Sequence, residues 1–334
     1  MHSQLSPDEI RSFQQERGLN VTGLLDVPTE RALEDARWKL GDRSLYLQSS
    51  PLMHGDDVAA LQSRLTEMGF DCGRVDGIYG ERTESAVKDF QKSVGAKVDG
   101  RCGPETIIAL IRLTKIVSGG VPSQLRESAA ARTRGPALAN KVIVLDPGSN
   151  GDEAEIVYDI AVRIEGRLLA LGASVFLTRG AKNAPSESER IAFTNTNATD
   201  LFISLHTDTH VNPSAQGVAT YFYGSDAHGV HSVVGERFAS LVQREICART
   251  NLLNCRSHAK TWDALRLTKA PSVRVDCGYL SNAHDAKNLA TPEFRDALAE
   301  AFIIAIQRLY LAAEDDAKTG TLRISDLRSA GIRS

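Results

Sequence analysis

The sequence predicts an α/β domain with a twisted, mixed central sheet flanked by helices, preceded by small three-helix units. Three observations support this prediction. Apolar runs and amphipathic segments alternate between residues 141 and 312. Residues of the N-terminal third recur at a constant sequence offset. The stretch KVIVLDPGSNGDE, residues 141–153, joins a buried strand to a helix through a tight turn, and α/β enzymes commonly hold reactive groups at such strand ends.

Composition sets the broad class of the protein. The chain has 334 residues, of which 42% are hydrophobic and 24% charged, so two or three domains with apolar cores are expected. A net charge of −3 gives no basic surface for a nucleic-acid partner. No apolar stretch approaches the roughly 18 residues of a membrane span, so none is expected.

The cysteines and the N-terminus predict a cytoplasmic protein. The five cysteines are odd in number and include no C-x-x-C pair, which favours a reducing compartment. The N-terminus lacks a basic run followed by an apolar core, so no signal peptide is expected. The alternative is the cell envelope, if an export signal was removed from this sequence.

The N-terminal third contains a duplication. Phe13-Gln14 recurs 77 positions later as Phe90-Gln91 (13 to 90), and a glycine, valine, threonine and leucine pattern follows it in both copies. The second copy has an additional upstream helix, a turn at Asp76-Gly77 and helices at 83–93 and 104–113. Residues 1–45 are therefore predicted to form a partial, truncated repeat, and residues 50–113 a three-helix domain.

The remaining boundaries follow from local composition and periodicity. Residues 114–140 are predicted to be a linker, and 313–334 a disordered tail in which Thr319 and Thr321 are phosphorylation candidates or simply solvated. A short strand is also expected near Leu265. The predicted strands of the α/β domain are 141–146, 173–178, 200–206, 216–223 and 272–278, and the predicted helices are 153–171, 186–197, 229–250 and 292–312.

The helical repeats resemble the three-helix peptidoglycan-binding domains of bacterial cell-wall enzymes. The resemblance rests on LQxxL, DGxxG, TxxAVxxFQ and DGxxGPxT, closely over residues 55–113 and partially over 6–33. It implies binding of peptidoglycan fragments. The same glycines and apolar residues also serve as turn and core positions, so the motif identifies the fold more sharply than the ligand.

The α/β domain resembles the zinc-dependent N-acetylmuramoyl-L-alanine amidases through LDPGSNGDEAEIVYDIAVRI, RIAFTNTNATDLFISLHTD and APSVRVDCGYLSN. In that family a His after DPG, a Glu at the next helix start and a His in S-x-H hold zinc, while a later Glu is the general base. Glu153 and His206 match two of these ligands. Ser149 stands in place of the first His, and Asp276 in place of the general-base Glu.

These departures predict weak or absent zinc binding and little hydrolysis. A hydroxyl is a poor zinc ligand, and Asp276 is one methylene shorter than the Glu it replaces. His210 or His258 could in principle supply another ligand, although neither lies at a family position. Trp38 and Trp262 are interpreted as packing residues.

Two functions stay open at this point: a catalytically impaired amidase-like protein that regulates peptidoglycan synthesis, and an active zinc amidase cutting the bond between muramic acid and L-alanine. An exported wall-binding protein is a third. The resemblance extends to cytoplasmic amidase-like regulators. It therefore implies a serine/threonine kinase, FHA-domain proteins, the UDP-N-acetylglucosamine carboxyvinyltransferase and lipid-linked precursors as partners.

Overall fold

A computed structural model describes residues 5–113, 138–225 and 229–310. Most of the predicted linker and the predicted tail, with Thr319 and Thr321, lie outside these ranges. Within them the helices are α1 (Pro7–Glu16), α2 (Val27–Asp35), α3 (Asp56–Glu67), α4 (Glu81–Ser93), α5 (Pro104–Arg112), α6 (Glu153–Ala170), α7 (Glu187–Thr196), α8 (Val233–Arg249), α9 (Asp263–Arg266), α10 (Ala283–Ala290) and α11 (Pro292–Tyr310). The strands are β1 (Val142–Pro147), β2 (Ser174–Leu177), β3 (Leu201–Asp208), β4 (Val218–Ser225), β5 (Val230–His231), β6 (Asn254–Lys260) and β7 (Ser272–Tyr279).

Local sequence signals start the helices of the N-terminal region. Ser6 and Glu9 form a reciprocal capping box at α1, and the Asp26 side chain accepts a hydrogen bond from the Thr29 backbone N–H at α2. Proline occupies the first turn of α1, α2 and α5, where its missing N–H costs nothing. In the duplicated pairs, α2 and α5 share this proline, whereas α4 and α5 begin after glycines that supply no side-chain cap.

A buried glutamine organises each helix pair of this region, and the structure shows three such networks. In each, the glutamine amide contacts a turn residue, a backbone carbonyl and a threonine hydroxyl, while its carbonyl accepts the N–H of a glycine at positive φ. The three sets are Gln14 with Thr22, Gly23, Leu24 and Thr29; Gln62 with Asp76, Gly77, Ile78 and Thr83; and Gln91 with Asp99, Gly100, Arg101 and Thr106. The network around Gln62 was not recognised from the sequence as a further repeat, because the loop that it spans is longer than the other two.

The seven described strands form one mixed sheet in the order β2-β1-β3-β7-β4-β5, with β6 pairing with β4. Strands β2, β1, β3 and β7 run parallel to one another, and β4 runs antiparallel to β7. The predicted mixed sheet flanked by helices is confirmed. This amidase-like α/β fold follows the helical region.

The two faces of the sheet carry different residues. Alternate side chains such as Leu145, Leu205 and Val275 belong to a core that packs against α6, α8 and α11. Because successive side chains of a strand point to opposite faces, the residues between them, including His206 and Asp276, lie on the other face. That face carries the candidate site.

Two local predictions were wrong or incomplete. The segment around Leu265 forms the short helix α9 rather than a strand, because one fully buried leucine anchors a single helical turn. Strand β6 was missed, since its sequence NCRSHAK has no apolar alternation to mark it as a strand. Among the described helices, none is both long and apolar enough to cross a bilayer.

Candidate functional site

The candidate site lies at the C-terminal ends of the parallel strands β1, β3 and β7. The strand register places Asp146 of β1 beside Ser204 of β3, and His206 of β3 beside Asp276 of β7. Side chains that follow one another at intervals of two share one face of each strand. The sheet therefore gathers residues from three distant sequence segments into one cluster.

The turn after β1 brings Glu153 against His206. Gly148 donates its N–H to the Leu205 carbonyl at 2.8 Å. A Cβ at Gly148 would stand 2.6 Å from His206 Nδ1, and closer still to the Glu153 carboxylate, so only glycine leaves room for this contact. Buried Arg179 fixes the turn by donating to the carbonyls of Pro147 (2.9 Å), Gly148 (2.7 Å) and Ala154 (2.6 Å).

Both ring nitrogens of His206 are occupied by protein groups. Nδ1 lies 3.1 Å from Glu153 Oε1, and Nε2 lies 3.0 Å from Ser204 Oγ. Because the Ser204 hydroxyl donates to the Asp146 carboxylate at 2.7 Å, Ser204 Oγ is available to His206 Nε2 as an acceptor. Each ring nitrogen of His206 thus has a polar partner within the protein.

The Glu153 carboxylate is buried but well supported. Its second oxygen accepts the Thr207 backbone N–H at 2.8 Å. Burial acts to raise the pKa of Glu153, yet the hydrogen bond and charge of His206, with the Thr207 N–H, outweigh burial and lower that pKa. Glu153 is therefore held as an ionised partner of His206.

Arg274 forms an ion pair with Asp276, the residue at the family's general-base position. Arg274 Nε donates to Asp276 Oδ1 at 2.7 Å, and the guanidinium also lies 5.0 Å from the centre of the Trp262 ring. Burial raises the pKa of Asp276, and the neighbouring Arg274 only partly opposes that rise. The side chain of Asp276 is thus directed to an arginine rather than to a water molecule.

The residues present do not fit a zinc ion. Zinc sites use at least three side chains of the His, Cys, Asp or Glu type, and across the described ranges no such group of three is arranged to hold a metal. Ser149 is half-buried in the turn after β1 and lines the same cavity as His206. His210 and His258 line a second cavity together with Arg274 and Asp276, and among the described residues they form no metal-holding group with Glu153 and His206.

A cavity of about 630 Å³ opens over the site and is shared by both regions of the protein. We call it the chamber. The α/β domain contributes Ser149, Arg190, His206, Trp262 and Arg274 to its wall. The helical region contributes Asn20, Pro28, Arg31, Asp35 and Asp76. Its volume lies within the range of about 300–1,000 Å³ typical of small-molecule sites.

The structure brings together Ser149, Glu153, His206 and Asp276, the four residues named from the sequence. Their individual roles stay predictions. Sequence reasoning missed Arg274, Arg190 and the Asp146–Ser204 pair. A signal existed for two of these: Arg274 precedes Asp276 by two positions, as Ser204 precedes His206, which places each pair on one face of its strand.

Comparison with known proteins gives two family matches. Residues 143–308 match the family described as N-acetylmuramoyl-L-alanine amidase. Residues 54–110 match the family described as putative peptidoglycan binding domain.

Among curated relatives, the N-acetylmuramoyl-L-alanine amidase CwlM of Mycobacterium tuberculosis is 43% identical over 332 residues, covering 95% of this chain and 82% of that protein. The germination-specific N-acetylmuramoyl-L-alanine amidase of Bacillus subtilis is 25% identical over 205 residues, covering 53% of this chain and 83% of the relative. Among solved structures, the amidase Ami1 of Mycobacterium smegmatis is 22% identical with a TM-score of 0.46, covering 52% of this chain and 98% of that chain.

Proposed function

Since the chain belongs to the N-acetylmuramoyl-L-alanine amidase family, we propose that it is a catalytically impaired member that binds peptidoglycan or its precursors and regulates cell-wall synthesis. The observation that carries the proposal is the Arg274–Asp276 ion pair beside Glu153 and His206. It occupies the carboxylate at the family's general-base position and brings a guanidinium close enough to Glu153 to favour its charged form.

The metal half of the reaction is weakened in three ways. Ser149 replaces a ligand, His206 uses both ring nitrogens within the protein, and Arg274 repels a divalent cation. In active zinc hydrolases the metal lowers the pKa of bound water to about 7. Without a held metal, Glu153 and His206 are left in contact with each other.

The proton-transfer half is weakened as well. A general base must lie within hydrogen-bond reach of the water that it deprotonates. Asp276 is short, almost fully buried and bound to Arg274, so it would have to break an ion pair to act. The helical region, whose residues 54–110 match a peptidoglycan-binding family, supports ligand binding as the retained property.

The regulatory role is proposed with specific partners. Peptidoglycan fragments or lipid-linked precursors would be the ligands, and the UDP-N-acetylglucosamine carboxyvinyltransferase and FHA-domain proteins the controlled partners. A serine/threonine kinase acting on Thr319 or Thr321 would add close to two negative charges per site. Such a role fits a cytoplasmic protein.

The second candidate is an active zinc amidase. It is favoured by one observation: Glu153 and His206, the two matching ligands, still touch at the family site. Rotation of His206 away from Ser204 would free one nitrogen. Zinc could then bind with a ligand supplied by substrate.

The deciding experiment measures bound zinc and stem-peptide release from purified peptidoglycan. We compare the unaltered protein, the Ser149→His/Asp276→Glu variant and the Ser149→His/Asp276→Glu/Arg274→Leu variant. We expect the first two to be inactive, because Arg274 remains. The triple variant should bind zinc at least about 100-fold more tightly and cut.

A matched control places Arg163→Leu in the triple variant in place of Arg274→Leu. Arg163 is an arginine of α6 that pairs with Asp159 and Asp296 outside the site. This control should stay inactive. Hydrolysis by the unaltered protein, with one zinc ion per chain, would overturn the proposal.

A further inference from the structure

The helical region lies over the candidate site, and we call it the roof. Charge pairs join its helix α2 to helix α9 of the α/β domain. Arg31 of α2 lies 2.6 Å from Asp263, and Asp35 of α2 lies 3.5 Å from Arg266. The signs are reciprocal, since each helix offers one cation and one anion. This pairing fixes the direction in which α2 crosses α9.

A second contact comes from the loop that precedes α4. Arg74 Nη1 donates to the carbonyls of Leu265 and Thr268, each at 2.8 Å, and satisfies backbone groups at the end of α9. Its guanidinium lies 5.0 Å from the centre of the Tyr223 ring, and the buried Tyr223 hydroxyl donates to the Val75 carbonyl at 2.7 Å. Helix α2 and the loop before α4 therefore both contact the α/β domain at α9.

A third contact joins the end of α1 to the end of β6. Thr261 Oγ1 donates to the Arg17 carbonyl at 2.6 Å, and Lys260 Nζ donates to the Leu19 carbonyl at 3.2 Å. These bonds bring the loop containing Asn20 to the edge of the chamber. The chamber is consequently a joint product of the two regions.

The chamber floor carries donors that the protein leaves unused. Within the described residues, Arg274 donates only through Nε, to Asp276, and Arg190 only through Nη1, to Asp146. The terminal nitrogens Nη1 and Nη2 of Arg274, and Nη2 of Arg190, have no protein acceptor there. Arginine forks of this kind match a carboxylate or phosphate.

Most carboxylates around the chamber are already neutralised. Asp146 is paired with Arg190, Asp276 with Arg274, and Glu153 with His206. Asp263 is paired with Arg31 and Arg266. Among the described residues, two chamber carboxylates have no basic partner: Asp76, which accepts hydrogen bonds from Gln62 and the Ile78 N–H, and Glu187 at the exposed rim. The free donors on the floor thus face an electrostatic environment that can accept an anion.

We propose that the chamber binds the carboxylate of an N-acetylmuramoyl-L-alanine ligand through Arg274 and Arg190, in the place where the family binds a cation. This inference rests on the proposed function, because it names the ligand group that the impaired site would hold. The site has then changed its preferred charge from positive to negative. The roof contributes by excluding water around the ion pair, which strengthens it.

The test is calorimetric titration with two probes at one fixed salt concentration. The probes are N-acetylmuramoyl-L-alanine, which has a free carboxylate, and its C-terminal amide, which lacks one. We expect the acid to bind at least about 10-fold more tightly than the amide, because only the acid can accept charge-assisted hydrogen bonds from the two arginines.

Three variants assign the effect to residues. Arg274→Gln/Asp276→Asn removes both charges of the ion pair while keeping polar side chains, and it should abolish the preference for the acid. Glu187→Gln should tighten binding of the acid about two- to threefold and leave the amide unchanged, as expected for removal of a partly screened like charge. Arg163→Gln, remote from the chamber, should change neither affinity.

The outcomes separate this inference from the function on which it rests. Equal binding of acid and amide, no binding of either, or an unchanged preference in the Arg274→Gln/Asp276→Asn variant would overturn the carboxylate site alone. Release of free L-alanine from the probe would instead overturn the proposed loss of hydrolysis. Both readouts come from the same samples.

Discussion

The buried polar groups of the helical region and those of the candidate site differ in one respect. Gln14, Gln62 and Gln91 are almost fully buried, and each has its amide donors and its carbonyl matched within one helix pair. Arg190 and Arg274 are partly exposed and keep donor nitrogens without a protein acceptor among the described residues. Satisfied polar groups specify a fold, whereas unused donors beside a cavity indicate a ligand.

The comparison is tested most strongly by removing one glutamine network. Gln91→Leu should lower the free energy of unfolding by about 3 kcal/mol, because the Gly100 and Asp99 N–H groups and the Thr106 hydroxyl lose their buried partner. Urea denaturation followed by circular dichroism measures this. Lys92→Leu, at the exposed neighbouring position, should change it by less than about 0.5 kcal/mol. A loss below about 1 kcal/mol for Gln91→Leu would contradict the role of the buried glutamines in specifying the fold.

The stability of the protein should be sensitive to substitution of Gly148, where no side chain fits. Gly148→Ala would force Glu153 and His206 apart, and we expect a loss of about 2 kcal/mol, typical of overpacking. The matched control is Gly166→Ala in the middle of α6, where an added Cβ meets no atom within 4 Å. That change should stabilise the protein by about 0.5–1 kcal/mol, because alanine is the better helix former. Thermal unfolding of both variants would show opposite signs if the turn is as tight as the structure indicates.

The Glu153–His206 pair predicts a loss of stability in acid. The pKa of Glu153 is lower in the folded protein than its ordinary value of 4.5, so the unfolded chain binds the proton more readily. The contribution is present above about pH 4.5 and is lost as the pH falls through the folded pKa. Glu153→Gln should flatten this part of the curve of unfolding free energy against pH. An unchanged curve would show that Glu153 is not held ionised by His206.

The smallest effect is expected at the roof. Arg31→Glu should cost about 0.5 kcal/mol, because the Arg31–Asp263 pair is exposed enough to be screened by water. Combining it with Asp263→Arg should recover part of the loss in a double-mutant cycle, because the new arginine can pair with the introduced glutamate but also meets Arg266. Added salt should reduce the loss in each single variant, because salt screens the like-charge repulsion that the reversal introduces. Additive losses in the cycle would indicate that α2 does not rest on α9 through this pair.

Much of the architecture was already readable from the sequence. The strand–turn–helix at 141–153 and the alternation that follows it predict an α/β domain, because a parallel sheet requires crossover helices. The 77-residue offset gave the helix pairs α1–α2 and α4–α5. The polar edge strand β6 escaped prediction, since only its neighbour β4 makes it a strand.

The candidate site, like the fold, could be predicted from the sequence only in part. Sequence motifs named Ser149, Glu153, His206 and Asp276, because each sits in a local pattern of residues next to it in the chain. The ion pair of Asp276 with Arg274, the second contact of His206 with Ser204, and the unused donors of Arg190 depend on which side chains come within 3 Å across strands. Such distances are set by strand register and helix packing, which bring together residues far apart in sequence. Local sequence motifs therefore predicted the site and its two altered positions, while only the tertiary structure showed that Arg274 pairs with Asp276 and that the helical region shares the cavity over the site, because both features depend on contacts between distant segments.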